Sequence, residues 1–231
     1  MNGLDFSIAL DSLPFLARGL EFSLALTAVA CLAGMSLGTV LALIQHLQIP
    51  GIAQAARAYI AIIRSIPLIL VLFWFFFLVP ILLGRLHAGG HPIPVGPHFT
   101  AFVTFSLFEA AYYSEIIRVG LRSVHQGQFE ASKALGLSTF DTYASVIMPQ
   151  VFRAASPIIL SQTIILFQDT SLVYVLSLTD LVGAASKLAQ LNGRIVEMYL
   201  TVAAIYLAIC VVASQFVSAL RRRAAIPFAG R

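Results

Sequence analysis

The chain has 231 residues, of which 59% are apolar and 10% are charged, and its mean hydropathy is +0.92. Soluble globular proteins carry about 25% charged residues, so this chain lacks the polar surface that a folded protein needs in water. The composition excludes a disordered chain, a nucleic-acid-binding domain and a cytosolic enzyme. It predicts an all-α membrane protein. Cys31 and Cys210 each lie in a long apolar run and predict no disulfide.

Five segments have the length expected of membrane-spanning helices. The first and the last contain charge-free runs of 23 residues, 22–44 and 198–220. Each run would form about 35 Å of helix, against a hydrocarbon core of about 30 Å. The third segment is the least apolar because it contains two glutamates. We predict one transmembrane domain over 1–231, with spans at about 18–44, 59–83, 99–118, 152–168 and 198–220.

The distribution of positive charge predicts the orientation of these spans. Ten of the 14 Lys and Arg residues lie in the segments 45–65, 118–153 and 221–231, and four lie on the other side. The side that is richer in Lys and Arg is normally cytoplasmic. We therefore expect the N-terminus outside, the C-terminus in the cytoplasm, and a first span that is retained rather than cleaved as a signal peptide.

The connections between the spans leave no room for a folded domain, because five spans of about 22 residues take up roughly 110 residues. The sequence also contains no G-x-x-x-x-G-K-[ST] phosphate loop. Energy from a nucleotide would therefore have to come from a separate chain. We expect no enzymatic activity, no metal and no cofactor on this chain itself.

Two glutamates occupy the third span, where an unpaired charge costs about 2.5–3.5 kcal/mol. Arg118 follows Glu115 by one helical turn, which favours a structural ion pair near the membrane surface over a role in transport. Glu109 has no charged partner at this spacing. It either lines a polar pathway or pairs with another helix.

Two other segments each allow two interpretations. Polar residues at 168–171 end the short fourth span, and an apolar stretch follows them. This pattern fits either a helix break that faces a cavity or an ordinary helix end at the membrane surface. In the first span, Ala30, Gly34 and Gly38 recur every four residues and predict close helix packing, which we expect within the chain rather than against another subunit.

The longest connection, 119–151, has the sequence of two short helices rather than of a flexible linker. A first helix is expected over 128–135, because good helix formers are followed by Gly136, a residue type that often ends helices. A second helix is expected to begin at the capping residue Ser138 and to stop at 148–149, where a proline occurs. The connection therefore predicts a compact helix–turn–helix that protrudes from the membrane.

The first of these short helices has the side chains of a docking surface. Glu130 should be exposed, and the small residues Ala131, Ser132 and Ala134 would let the helix lie close to another protein. Composition alone allows an alternative, in which the segment packs under its own helix bundle.

The same connection resembles a motif of membrane permease subunits of ATP-binding-cassette importers. Glu130-Ala131-Ser132, Gly136 and Val146-Ile147-Met148-Pro149 are similar in spacing to the pattern E-A-A-x3-G-x9-I-x-L-P. Ser132, Val146 and Met148 depart from the pattern with side chains of similar size. Across residues 8–223, the segments 64–68, 108–118 and 166–178 resemble the polar amino-acid branch, and within it the glutamate/aspartate permeases.

The resemblance implies a type I importer permease fold with cytoplasmic coupling helices, in the bacterial inner membrane. It implies two ATPase subunits that hold ATP and Mg, a second homologous permease, a periplasmic substrate-binding protein and the lipid bilayer as partners, with no nucleic acid. ATP binding on the partner chains would switch the permease pair between inward- and outward-facing states. The residues that the resemblance places at the ATPase contact are Glu130, Ala131, Ser132, Gly136 and Pro149.

The expected function is ATP-driven import of an amino acid, and the resemblance implies glutamate or aspartate. We expect no Lys or Arg deep in any span, so helix amino ends, polar side chains or the partner permease would have to meet the substrate carboxylates. An ion-coupled carrier, a permease for another polar amino acid and a non-transporting membrane anchor are the alternatives. The candidate pathway residues are Glu109, Gln162, Gln168, Asp169, Thr170 and Ser171.

Overall fold

The structure is a computed structural model that describes residues 5–87, 91 and 93–224. These residues form helices and contain no β-strand. The ends of the predicted domain, 1–4 and 225–231, lie outside the described residues. In chain order the α-helices are α1 Ser7–Asp11, α2 Leu13–His46, α3 Ile52–Arg64, α4 Leu68–Phe73, α5 Val79–His87, α6 Pro97–Ser123, α7 Gln126–Ala134, α8 Thr139–Asp141, α9 Met148–Asp169, α10 Leu181–Asn192 and α11 Ile195–Ala224.

Four continuous helical stretches are long and apolar enough to cross a membrane: Leu13–His46, Leu68–Leu86, Thr139–Leu176 and Ile195–Arg221. The predicted third span lies in α6, whose 27 residues correspond to about 40 Å of helix. α6 is less apolar because it packs against both α2 and α9, so neighbouring helices rather than lipid surround its polar side chains. Membrane crossing by α6 stays a prediction.

The small residues of α2 allow it to pack closely along α6. A Cβ atom added at Gly34 would lie 2.9 Å from the Glu109 Cβ. A Cβ atom added at Gly38 would lie 2.9 Å from both the Ala110 carbonyl oxygen and the Ser114 backbone nitrogen. Because these distances leave no room for a side chain, the expected packing within the chain is confirmed.

The predicted second span, 59–83, differs from the structure because the chain breaks within it. α3 ends at Arg64, and a new helix begins at Leu68, after Pro67 with φ −57° and ψ 137°. Proline disfavours helical geometry in the residue before it, which ends α3. The new helix continues through a π-helical stretch, Trp74–Leu78, into α5.

The predicted stop at Met148-Pro149 is wrong, because one helix runs from Thr139 to Leu176. A π-helical stretch, Thr142–Ile147, directly precedes Met148-Pro149. Pro80 follows the other π-helical stretch in the same way. Such stretches change the backbone hydrogen-bond register, so the helix can continue although proline has no backbone N–H to donate.

The polar segment 168–171 does not break the chain. α9 extends to Asp169 and continues as a 3-10 helix over Thr170–Leu176, which ends at Ser177 in the left-handed conformation, with φ 61°. Of the two interpretations that the sequence allowed, neither describes this change of helix type.

α10 connects this 3-10 helix to α11 at the far end of the bundle from α7. The buried Asp180 caps it by accepting hydrogen bonds from the Val182 and Gly183 backbone nitrogens, each at 3.0 Å. α10 packs against α2 and α11. It is not among the helices that are long enough to span a membrane.

Candidate functional site

The connection 119–151 forms the short helix predicted from the sequence, and the neighbouring helices extend into it. α6 ends at Ser123, α7 follows, and Gly136 adopts the left-handed conformation with φ +74° just after α7. Ser138 Oγ accepts a hydrogen bond from the Asp141 backbone nitrogen at 3.1 Å. The predicted end of the first helix and start of the second are therefore confirmed.

Three aromatic rings fix α7 to the rest of the chain. The Phe129 ring lies 6.2 Å from His46 at the end of α2, and 5.9 Å from Tyr143 in the helix that begins at Thr139. His46 and Tyr143 also contact each other, with ring centroids 5.9 Å apart. α7 therefore packs directly against two of the long apolar helical stretches.

Ser132 faces this inner side of α7 and not the outer surface. It is 3% exposed, and its hydroxyl donates to the Gln128 carbonyl oxygen at 2.8 Å. The predicted surface position of Ser132 is thus corrected, because 3.6 residues per turn place it beside Phe129 and away from Glu130 and Ala131.

The outer side of α7 is an exposed surface with one acidic side chain among apolar ones. Glu130 and Ala131 are exposed, and they are followed by Leu135 and Phe140, which are 79% and 78% exposed. Pro149 is exposed nearby and lines a small groove of about 330 Å³. Exposed apolar side chains of this kind mark a contact with another protein or with the membrane.

Glu115 and Arg118 lie in contact, as the sequence spacing indicates. Arg118 Nε donates to Glu115 Oε1 at 2.9 Å, and Arg118 Nη2 contacts Glu115 Oε2. Arg64 Nη1 lies 3.6 Å from the same Glu115 Oε2. One carboxylate therefore faces two guanidinium groups, which leaves a net positive charge at this point.

Arg64 reaches from this cluster into a cavity of about 470 Å³ at the break between α3 and α4. Its guanidinium carbon lies 5.4 Å from the centroid of the Tyr112 ring, within the range of a cation–π contact. Gln162 and Asp169 of α9 line the same cavity, together with Ser65. The cavity thus holds a cation, a carboxylate, an amide and a hydroxyl group.

Glu109 is 1% exposed and lies beside this cavity without lining it. Both of its carboxylate oxygens accept from Gln162 Nε2, at 3.2 and 3.3 Å. Of the two interpretations from the sequence, the structure therefore favours pairing with another helix. This pairing orients Gln162, which does line the cavity.

The remaining candidate pathway residues do not converge with Gln162 and Asp169. Gln168 faces α11, where its Nε2 lies 3.5 Å from Cys210 Sγ. Thr170 is buried, and its hydroxyl donates to the Phe167 carbonyl oxygen at 2.7 Å. Ser171 is partly buried in the 3-10 helix and does not line the cavity. Consecutive helical residues point about 100° apart, so a run of polar residues cannot share one face.

Gln168 instead lines a groove of about 830 Å³ between α9 and α11. Three polar residues of α11, Ser214, Gln215 and Ser218, are exposed in this groove. α11 belongs to one of the four apolar stretches, so these side chains would meet lipid if nothing covered them.

The expectation that no Lys or Arg lies deep in the spans stays a prediction, because the Arg64 side chain is 43% exposed and ends α3, outside the four long apolar stretches. The sequence analysis placed Arg64 inside the predicted span 59–83, whereas Arg64 ends α3 and a new helix begins after Pro67. The available signal was Pro67 inside a predicted span that also contained a charge. In the described part of the chain, no group of three or more His, Cys, Asp or Glu residues could hold a metal.

These features define a class: a helical membrane subunit with a polar cavity between its helices and an exposed short helix at one end. Residues 34–226 match the family described as binding-protein-dependent transport system inner membrane component. The chain belongs to this family and is the permease subunit of an ABC importer of the inner membrane. The resemblance noted in the sequence is thereby confirmed.

Known relatives narrow the class further. The chain is 44% identical over 225 residues to the glutamate/aspartate import permease protein GltK of Escherichia coli O157:H7, covering 97% of this chain and 100% of the relative. It is 31% identical to the L-cystine transport system permease protein TcyL of Bacillus subtilis, covering 96% and 92%. A chain from a crystal structure of an amino acid ABC transporter with histidines has a TM-score of 0.82 and 27% identity, with 96% and 100% covered.

Proposed function

We propose that this subunit imports an acidic amino acid, glutamate or aspartate, through the cavity beside Arg64. The observation that carries this proposal is that the guanidinium-bearing Arg64 and the carboxylate-bearing Asp169 line the same cavity between the helices. An amino acid presents a carboxylate and an ammonium group, so the two ends of such a cavity can bind it by charge. The volume of about 470 Å³ lies within the range of small-molecule sites.

The Arg64 end of the cavity suits a carboxylate for a second reason. The helix that begins at Leu68 directs its amino end towards this cavity, because Pro67 and Leu68 both line it. Backbone nitrogens in the first turn of a helix lack partners within the helix and attract anions. Broken membrane helices commonly bind substrates in this way. The positive charge at this end of the cavity therefore favours a substrate with an additional carboxylate over an arginine or a neutral amino acid.

The test replaces Arg64 by Gln in the complete transporter and measures uptake of radiolabelled glutamate. Loss of one charge-assisted contact of about 1.5–3 kcal/mol predicts a tenfold to hundredfold increase in KM. Arg57→Gln is the matched control, because Arg57 is exposed on the same helix and does not line the cavity. Equal KM values for the two variants would refute this pathway, and competition by cystine or arginine but not aspartate would refute the substrate.

Energy is proposed to come from two ATPase subunits that dock on α7 through Glu130 and its apolar neighbours. The support is the exposed outer side of α7, beside Leu135 and Phe140. Glu130→Arg should abolish co-purification of the ATPase and ATP-driven uptake, while Glu21→Arg, at an exposed position on α2, should preserve both. Uptake that stops with an uncoupler but persists after ATP depletion would instead support an ion-coupled carrier.

The groove between α9 and α11 is proposed to face a second, homologous permease. Exposed Ser214, Gln215 and Ser218 support this, because polar side chains in membrane helices face protein or water rather than lipid. Gln215→Cys, labelled with a thiol-attached photocross-linker, should cross-link to the partner permease. Val212→Cys, on a side chain that is 68% exposed and apolar, should not. A cross-link from Val212→Cys but not from Gln215→Cys would show that the polar groove faces lipid.

A periplasmic binding protein is proposed to deliver the substrate at the α10 end, with α7 in the cytoplasm. This orientation requires that α6 also crosses the membrane, which brings the number of spans to five, with the N-terminus outside and the C-terminus inside. A membrane-impermeant thiol reagent added to intact spheroplasts should label Leu191→Cys in α10, which is 80% exposed in the wild type, but not Ala134→Cys in α7. The opposite labelling pattern would reverse the orientation.

A further inference from the structure

A separate cavity of about 440 Å³ lies behind α7, where α2 and α6 end. Three basic side chains line it, those of His46, Arg122 and Lys133, and no described Asp or Glu does. Neither Arg122 nor Lys133 forms an ion pair within the described part of the chain. Two permanent cations therefore share one cavity whose lining contains no described carboxylate.

The other polar groups of this cavity are mostly hydrogen-bond donors. Gln126 and Thr139, the first residues of two helices, line it, so the positive ends of two helices border the cavity. Thr142 and Tyr143 add hydroxyl groups. Cations, hydroxyls and helix amino ends together form a donor set that suits a phosphate group.

The remaining wall of the cavity is apolar and continues onto the membrane-facing side of α2. Leu47 and Leu137 line the cavity and are 47% and 37% exposed. Val40 lies seven residues before Leu47, so the two share one side of the helix end, and Val40 is 53% exposed. An apolar track therefore leads from the spanning part of α2 to the basic cavity.

We propose that this cavity binds the phosphate head group of an anionic phospholipid, whose acyl chain lies along α2 towards Val40. Basic pockets at the ends of membrane helices bind anionic lipid head groups by charge. Free phosphate has the same head-group chemistry but would leave the apolar track beside Leu47 unused. This inference does not depend on which amino acid the transporter carries.

The three basic residues also have a purely structural explanation. His46, Arg122 and Lys133 each stand in the last turn of their helices, where a positive charge is stabilised by the helix dipole. In that case their removal would lower stability but would not change which lipids the protein retains. Lipid retention therefore distinguishes the two explanations.

The experiment uses the full chain, purified with its partners and placed in nanodiscs of equal phosphatidylglycerol and phosphatidylcholine. After extraction in mild detergent, native mass spectrometry counts the retained lipids. The wild type should retain phosphatidylglycerol preferentially, and each lost cation should lower the ratio about fivefold. The variants are Arg122→Gln with Lys133→Gln, the charge-preserving Lys133→Arg, and Arg57→Gln as an exposed control outside the cavity.

The proposal requires that the double variant loses the preference while Lys133→Arg and Arg57→Gln keep it. An unchanged ratio in a double variant that still elutes as a stable complex would overturn it and leave only the helix-dipole explanation. A further arm adds millimolar inorganic phosphate to the wild type before extraction. Complete displacement of the lipid by phosphate would show that the site takes a free anion and would overturn the assignment to a lipid.

Discussion

Replacing Gly38 by Leu should destabilise the contact between α2 and α6. Even a Cβ atom there would lie 2.9 Å from two backbone atoms of α6 and 3.0 Å from the Tyr113 Cβ. Ordinary contacts are 3.4–4 Å, so the helices would have to separate by about half an ångström for the first carbon alone. Three more carbons enlarge the displacement.

The cost of overpacking is typically about 1–3 kcal/mol and rises when backbone, rather than a flexible side chain, blocks the new atoms. Leu is a better helix former than Gly by about 0.8 kcal/mol, which offsets part of this cost. Because backbone atoms block the new side chain, the cost falls at the upper end of this range, and the net loss is about 2 kcal/mol. It should also disturb the nearby packing of Glu109, because Gly34 contacts Glu109 one turn away.

The assay is unfolding of the purified subunit by increasing sodium dodecyl sulfate in mixed micelles, followed by helical circular dichroism. Ser36→Leu is the matched control, because Ser36 lies two residues away on the exposed side of α2 and its hydroxyl bonds only the Leu32 carbonyl oxygen. The control should unfold within about 0.5 kcal/mol of the wild type. Equal stability of the two leucine variants would refute the close packing of α2 on α6.

Phe129→Ala should free α7 from His46 and Tyr143, reducing ATP-driven uptake and exposing the α7 segment to limited proteolysis, with a stability loss of about 2–3 kcal/mol. Gln162→Leu leaves the carboxyl group of Glu109 without its partner and should cost about 1–3 kcal/mol, part of which Glu109→Leu should restore in the double variant. Burial raises the pKa of Asp180 to about 6, so the stability that it contributes is full below about pH 4 and is lost as the pH rises through 6. Asp180→Asn keeps the cap and should flatten the unfolding free energy across that window by up to about 3 kcal/mol, as measured by unfolding at several pH values.

The features that the sequence predicted correctly depend on neighbouring residues. The end of α7 before Gly136 and the helix start after Ser138 each follow from a few adjacent side chains. The packing of Gly34 and Gly38 follows from a four-residue spacing that holds within one helix. Such signals act over one or two helical turns, so a single sequence is enough to interpret them.

The errors in helix bounds have a physical origin in the backbone around prolines. Pro67 ends a helix, whereas Pro80 and Pro149 lie within continuous helices because π-helical stretches precede them. Sequence alone does not distinguish these outcomes, because packing against neighbouring helices decides whether the chain can adopt the wider turn. The stop predicted at Pro149 is therefore wrong, whereas Pro67 directly precedes the helix that begins at Leu68.

The cavity could not be predicted as a unit, because its residues come from distant parts of the chain. Arg64 stands at the end of α3, Tyr112 in α6, and Gln162 and Asp169 in α9. Sequence reasoning found the two residues of α9 from their polarity within an apolar run. It missed Arg64, because no local sequence signal shows that α3 ends beside Gln162 and Asp169.

The positions of these residues also suggest how docking at α7 would act on the cavity. Tyr143, which contacts Phe129 of α7, and Gln162 belong to one continuous helix, with about 28 Å of helix between them. A rigid helix transmits displacement at one end to the other, so movement of α7 should shift Gln162. Arg64 lies on the other side of the chain break and does not share this helix. Displacement of one wall relative to the other would therefore open or close the cavity, which is the geometric requirement for alternating access.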